Sequence, residues 1–269
     1  SWTERPALRR IGELAERDPE AAREAAWLHA RLIAADLHTL GITVNCSPVL
    51  DLGLKGQTDA IGDRAFSDDP DIVAALGRAT INGYLAGAVL PVIKHLPGHG
   101  RATVDSHADL PCVQAGRSDL ANADWLPFKA NAGAPAGMTA HILFPDLDPS
   151  ACATQSARII REIIRSEIGF DGLLLSDDLS MDALGGSLGE RAALASQAGC
   201  DLALHCNGDL SEMTAVLDAA GPLRGDAQSR LNEALARRPQ KPEAFDQAAG
   251  SDRLAQLLGQ TGAAREVAV

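Results

Sequence analysis

The sequence predicts an α/β fold of parallel strands, arranged as a closed (β/α)8 barrel, and three observations carry that prediction. Short aliphatic or β-branched runs alternate with alanine-rich stretches of helical period, in the order βαβα. The runs are apolar almost throughout, as strands buried on both faces must be, and helical crossovers between them make a sheet parallel. Polar residues then gather where the runs end: Asp51, Lys94 with His95, His141, Asp177 with Asp178, and His205 to Asn207. In a closed barrel all such ends open on one face, where barrels place their chemistry. A doubly wound sheet binding dinucleotides or phosphates would carry GxGxxG, or GxxxxGK followed by Ser or Thr, and neither occurs.

In chain order, the helical pattern EAAREAAWLHARLIAADLHTLG (20–41) precedes the first run, TVNCSPVLDL (43–52). A second helical stretch, DPDIVAALGRATINGYLAGA (69–88), leads into GAVLPVIKHL (87–96). The third run, AGMTAHILF (136–144), is followed by the helix ARIIREIIRSEIG (157–169), then by GLLLSDDL (172–179) and CDLALHCN (200–207). That is five strands, where a closed barrel of this type has eight. Beyond Arg224 the tail reads as one or two terminal helices joined by the linker RRPQKPEAFD. The 269 residues, 46% hydrophobic, suffice for one large core, so a single domain over 1–269 is expected, its core about 1–223 and its C-terminal helices 224–269.

Charge and cysteines exclude several classes. With 36 acidic against 24 basic residues and no basic stripe, the formal charge of -12 argues against a nucleic-acid partner. Cysteines 46, 112, 152, 200 and 206 are odd in number and lack CxxC spacing, which predicts reduced thiols in a cytoplasmic compartment. The apolar runs are short, and the opening SWTERPALRR is unlike a signal peptide, so no membrane partner is expected.

The densest chemistry lies in KHLPGHGRATVDSH, Lys94 to His107. His95 and His99 are four apart, but Pro97 and Gly98 oppose the helix that would bring both to one ion, leaving a loop zinc site of His95, His99 and His107 as an alternative. The plain reading of His99, and more so of the helical His29 and His38, is a histidine satisfied by the fold. In an extended Asp105-Ser106-His107 segment, residues i and i+2 share a side, so the carboxylate of Asp105 can hold the His107 imidazole as a tunable general acid. Gly98 and Gly100 give the connecting loop freedom to close over a substrate. In SDDLSMD, Asp177 stands where a buried strand stops, with Asp178 beside it; a solvated helix start and a rigid nucleophile both fit that spacing.

The segments VNCSPVLDL, IGDRAFSDDP, KHLPGHGRATVDSHADLP, MTAHILFPDLDP and GFDGLLLSDDLSMDAL, in that order, resemble the family 3 glycoside hydrolases, and among them the β-N-acetylglucosaminidases of bacterial peptidoglycan recycling. The resemblance runs from about Trp2 to Gly208. It implies a (β/α)8-type barrel that cleaves a glycosidic bond with retention through a covalent sugar-enzyme ester. It further implies Asp177 as nucleophile, His107 with Asp105 as acid-base, and Arg64, Lys94 and His95 on the sugar hydroxyls. His99 would shape the lid. No metal or cofactor is expected. The implied substrate is N-acetylglucosaminyl-anhydromuramic acid, with or without its peptide, and the implied enzyme is a monomer.

One departure from the family pattern stands out. The acidic residue and Glu-Gly-Gly turn that grip the sugar's outer hydroxyls have no counterpart, and SWTERPALRRIGEL resembles the segment that follows that turn. The first strand-helix units are therefore expected to be missing from an incomplete gene product, with two parallel sheet edges exposed. Three rival readings follow: a metal-dependent hydrolase using the loop histidines, substrate-assisted catalysis with Asp177 and Asp178 as helpers, and a sugar-binding remnant without turnover.

Overall fold

The computed structural model describes residues 2–56, 60–105, 109–223, 225–259 and 266–267. The elements in chain order are β1 (Trp2–Thr3), α1 (Leu8–Ala15), α2 (Pro19–Thr39), β2 (Val44–Asn45), α3 (Pro70–Ala86), β3 (Leu90–Leu96), α4 (Arg117–Asn122), α5 (Leu126–Ala130) and β4 (Ala136–Thr139). A helix over Ile159–Glu167, β5 (Leu173–Asp178), α6 (Leu188–Ala198), β6 (Leu202–Leu204), α7 (Leu210–Ala220), α8 (Gly225–Arg237), α9 (Gln247–Leu257) and β7 (Glu266–Val267) follow. Strands β2 to β6 form one sheet in sequence order, every neighbouring pair parallel. The predicted α/β class and parallel sense therefore hold. Among the described residues the outer edges of β2 and β6 carry no further strand. An unpredicted two-stranded antiparallel ladder joins β1 to β7.

Strand alternation decides what faces what. Leu90 and Val92 of β3, Ala136 and Met138 of β4, and Leu173 and Leu175 of β5 share one face, where Ala234 of α8 packs on them. Ile93, Leu96 and Leu174 belong to the larger core against the helices, with Trp125, Phe128, Phe170 and the isoleucines 159, 160, 163 and 164. Counting on by twos, the first face continues to Lys94 on β3 and Asp177 on β5, both near Cys46, while a register irregularity between Ile93 and Leu96 lets His95, of opposite parity, reach the same mouth.

Several predicted elements came out differently: the runs 136–144 and 200–207 are strands only over Ala136–Thr139 and Leu202–Leu204, and two others differ more. The run 43–52 is a ladder only at Val44–Asn45, with an isolated bridge from Val49 to Lys94. Pro48 sits between them and has no N–H to donate, which interrupts the ladder there. The stretch 157–169 is helical but wound with the wider π repeat over Ile159–Glu167. Its buried residues fall at 159, 160, 163 and 164, a spacing that a slightly underwound helix also aligns, so apolar period does not separate the two.

The helices are punctuated as their sequences require. Asp18 and Asp69 cap α2 and α3 by accepting backbone N–H bonds, and Pro19 and Pro70 occupy the first turn, where no N–H is needed. The two helices then pack closely, because a Cβ on Gly83 would lie 2.5 Å from the carbonyl oxygen of Trp27. Replacing Asp69 by alanine is expected to cost about 1 kcal/mol, read as a lower denaturant midpoint with an unchanged slope.

His29 of α2 is buried, and its Nε2 lies 3.0 Å from the Pro6 carbonyl. Burial, offset in part by that contact, pushes its pKa down from 6.5 to about 4. Between those values the unfolded chain binds the extra proton, so stability is full above the unfolded pKa and falls as pH drops toward the folded one, on the order of 3 kcal/mol in all. A His29→Gln variant should show a flatter dependence of its melting midpoint on pH over that window than the parent chain. Equal slopes would assign the acid sensitivity elsewhere.

Candidate active site

The C-terminal ends of β3, β4 and β5 and the segment after β2 converge on one mouth. Its best-connected group is Asp51, which closes the apolar run Val49–Leu50 and is 1% exposed. One carboxylate oxygen accepts the backbone N–H of His99 at 2.7 Å; the other lies 2.6 Å from Nδ1 of His95; the His95 backbone N–H points at both, at 3.2 and 3.3 Å. Burial opposes ionisation of Asp51, yet the charge and hydrogen bond of the His95 imidazole, with His99, outweigh it and hold the carboxyl below its ordinary value. This ionised group therefore favours the folded chain at neutral pH, and that contribution is lost only as pH falls through the lowered pKa.

His95 is thereby held with its other nitrogen aimed across the mouth. Nε2 lies 3.8 Å from Oδ2 of Asp177, too far for a direct hydrogen bond and close enough for one oxygen to touch both. Asp177 is 9% exposed and takes the Asp178 N–H on Oδ1 at 2.9 Å. Its neighbour Asp178 is engaged otherwise, accepting from the N–H and hydroxyl of Ser180 and from the Cys206 N–H. Against the cost of burial, those donors hold the Asp178 carboxyl below its usual range. The helix-start reading of this acidic pair fails, since the next helix begins at Leu188.

His141, beyond β4, is buried with Nδ1 at 2.7 Å from the Thr154 hydroxyl and Nε2 at 3.0 Å from the Asp178 carbonyl, so it braces the strand end that carries Asp177. Burial lowers its pKa and favours the neutral ring, against the pull of the Asp177 charge. Two thiols border the mouth. Burial and the nearby Asp178 and Asp177 charges push Cys206 up to about 11, and burial raises Cys46 as well, so neither is a thiolate at neutral pH.

Lys94 and Arg64 line a common pocket of about 290 Å³ together with Asn45, Cys46 and Ser47. The Arg64 guanidinium is exposed and donates to the Ala60 carbonyl. The loop that leaves β3 is pinned at its start: a Cβ on Gly100 would lie 2.6 Å from the Leu52 carbonyl oxygen, and Arg101 Nε donates to Asp124 at 2.7 Å. His99 is 3% exposed, its ring 5.5 Å from that of His95, and its Nδ1 has no partner among the described residues. Asp105 is half-buried. His107 lies outside the described residues, as does the Asp105–His107 pairing predicted from sequence.

Of the predicted residues, the structure thus brings Asp177, His95 and Lys94 to one mouth and sets Arg64 in the pocket that Lys94 lines. Sequence reasoning gave Asp51 and His141 no role, although each ends an apolar run; the signal was there, and their partners were not. The three-histidine metal set includes His107, and among the described residues no group of three metal-binding side chains occurs. A larger groove of about 690 Å³ flanks β6 and α7; it is lined by the strand-end residue His205 and by none of the predicted catalytic or sugar-binding residues.

Comparison with known proteins adds the following. The family model described as "Glycosyl hydrolase family 3 N terminal domain" matches residues 2–238. The chain is 42% identical over 209 residues to a Beta-hexosaminidase of Xylella fastidiosa (strain M23), covering 76% of this chain and 62% of that protein. It is 38% identical over 236 residues to a Beta-hexosaminidase of Thiobacillus denitrificans (strain ATCC 25259 / T1), covering 86% of this chain and 65% of that one. The chain therefore spans under two thirds of the length of these relatives. The solved structure of native NagZ from Neisseria gonorrhoeae is similar over 96% of this chain and 76% of that one, at 30% identity and a TM-score of 0.80. By this match over most of its length, and by the parallel α/β sheet beneath it, the chain belongs to glycosyl hydrolase family 3 through the N-terminal domain.

Proposed function

We propose that this chain carries the catalytic site of a retaining exo-β-N-acetylglucosaminidase that removes terminal β-linked N-acetylglucosamine from peptidoglycan fragments such as N-acetylglucosaminyl-anhydromuramic acid, with or without peptide. The observation that carries the reading is the mouth itself, where Asp177 ends a buried strand, 3.8 Å from a histidine whose far nitrogen is already committed. Among the described residues Asp177 accepts one hydrogen bond, on Oδ1 from a backbone N–H, which leaves Oδ2 for an anomeric carbon. In this reading Asp177 attacks that carbon as the bond to the leaving oxygen breaks, and His107, held by Asp105, gives the leaving oxygen its proton. His107 then takes a proton from water, whose oxygen displaces Asp177 and restores the β configuration. Lys94, His95 and Arg64 hold the sugar hydroxyls, the two charged donors, Lys94 and Arg64, each worth roughly 1.5–3 kcal/mol.

The five parallel strands are read as successive strands of a (β/α)8-type barrel, and 1–269 as one domain. The relatives named Beta-hexosaminidase support the amino-sugar substrate. No helix among the described residues is long and apolar enough to cross a membrane. We place the enzyme in the cytoplasm as a monomer, without cofactor.

The test is release of 4-nitrophenol from 4-nitrophenyl N-acetyl-β-glucosaminide in the presence of chelator, with the newly formed sugar followed by proton NMR. Turnover with the β anomer as first product is expected. Turnover lost to chelator and restored by zinc would replace this reading with the metal hydrolase, and first formation of the α anomer would exclude retention.

A further inference from the structure

We propose that Asp51 is a positioning residue that fixes the proton of His95 on Nδ1, and that the same carboxylate ties the root of the Pro97–Asp105 loop to the strand ends. The backbone N–H groups of His95 and His99 donate to the two oxygens of Asp51, and one ring nitrogen of His95 lies 2.6 Å from Oδ2. An ionised carboxylate only accepts, so the ring nitrogen at 2.6 Å carries its proton. Nε2, the nitrogen facing Asp177 at 3.8 Å, is then left to meet the substrate. A ring turned to the opposite tautomer would present an N–H to Asp177 and compete for the electron pair that must attack.

Asparagine cannot do the same work. Its amide has one accepting oxygen and one donating NH2, while Asp51 meets donors at both ends, the His95 ring at one oxygen and the His99 N–H at the other. If the NH2 faces the ring, His95 must offer a lone pair at Nδ1 and move its proton to Nε2. If the NH2 faces His99, donor meets donor and the loop root loses its anchor. A buried carboxylate is the one side chain of this size that serves both.

The inference about the tautomer stands on the geometry; its consequence for turnover rests on the glycosidase reading above. The test is the imidazole 15N–1H spectrum of the whole chain, with the His95 signals assigned by their loss in His95→Gln. The parent chain should show a low-field proton on Nδ1, shielded from exchange with water. In Asp51→Asn that signal should vanish or shift to Nε2, with kcat/KM for the 4-nitrophenyl substrate falling on the order of 100-fold, as for other residues that orient a reacting ring. A parent spectrum with the proton on Nε2 alone overturns the proposal, and this needs no variant, so it holds even if Asp51→Asn does not fold. An Asp51→Asn chain with the parent's ring signals and full turnover also overturns it. A chain that shows the Nδ1 proton, loses it in Asp51→Asn and has no hydrolase activity in either form supports the positioning role and rejects the glycosidase reading.

Discussion

Replacing Asp177 by alanine is expected to lower turnover of the 4-nitrophenyl substrate by at least about 10⁴-fold, the scale on which losing a covalent nucleophile is felt. The fold should survive, because the side chain makes one described hydrogen bond, to its neighbour's N–H, and faces the open mouth. Removing the carboxylate leaves a space beside the anomeric carbon that a small anion can fill. Azide should therefore restore release of 4-nitrophenol and leave an α-glycosyl azide, the inverted product of a single displacement. Asp178→Asn is the informative comparison. Its carboxylate is occupied by Ser180 and the Cys206 N–H, so its loss should appear first in stability, through a loosened β5–β6 junction. An Asp177→Ala chain with near-parent turnover, beside an inactive but folded Asp178→Asn chain, would transfer the nucleophile to Asp178.

The second large effect lies at the opposite end of the sheet. Asp201, just before β6, has a side chain 4% exposed; it receives Arg165 at 2.9 Å, Arg230 of α8 at 3.2 Å and the Leu174 N–H at 2.8 Å. Arg165 also donates to the Phe170 and Gly172 carbonyls, so this one cluster fastens the π-wound helix, the start of β5 and α8 to the base of β6. Asp201→Ala removes the shared anion and leaves a largely buried guanidinium without its charge partner, which typically costs 3–5 kcal/mol, or about 6–20 °C in melting midpoint for a chain of this size. Calorimetry of Asp201→Ala against exposed Asp182→Ala checks this, the second change being expected within about 0.5 kcal/mol of the parent. A small loss at Asp201 would mean that the apolar contacts of Leu231 and Ala234 hold α8 without the ions.

The five strands of the main sheet and five helices, α2, α3, the helix over 159–167, α8 and α9, were legible because their signals are local, whereas α1, α4 to α7 and the β1–β7 ladder were not named. Alternation in GAVLPVIKHL and GLLLSDDL marked the runs, and the polar residue closing each run marked the mouth. The same reasoning overextended the run 43–52, where Pro48 breaks the ladder, and could not see the π winding of 159–167, because four buried isoleucines look alike in either helix. It also weighed the acidic pair Asp177–Asp178 as a helix start, when the two carboxylates have separate duties.

What the sequence by itself determined is the order of the five main-sheet strands, and which residues stand at strand ends. Both follow from side-chain period and from the right-handed, parallel crossover that a βαβ order imposes. What only the tertiary structure decided is which of those end residues are partners. Asp51 meets His95 across 44 positions, His141 meets Asp178 across 37, and Arg230 meets Asp201 across 29. The reason is physical: a buried charge or ring takes its state from whatever surrounds it within a few ångströms, and strand register, not chain distance, sets those surroundings.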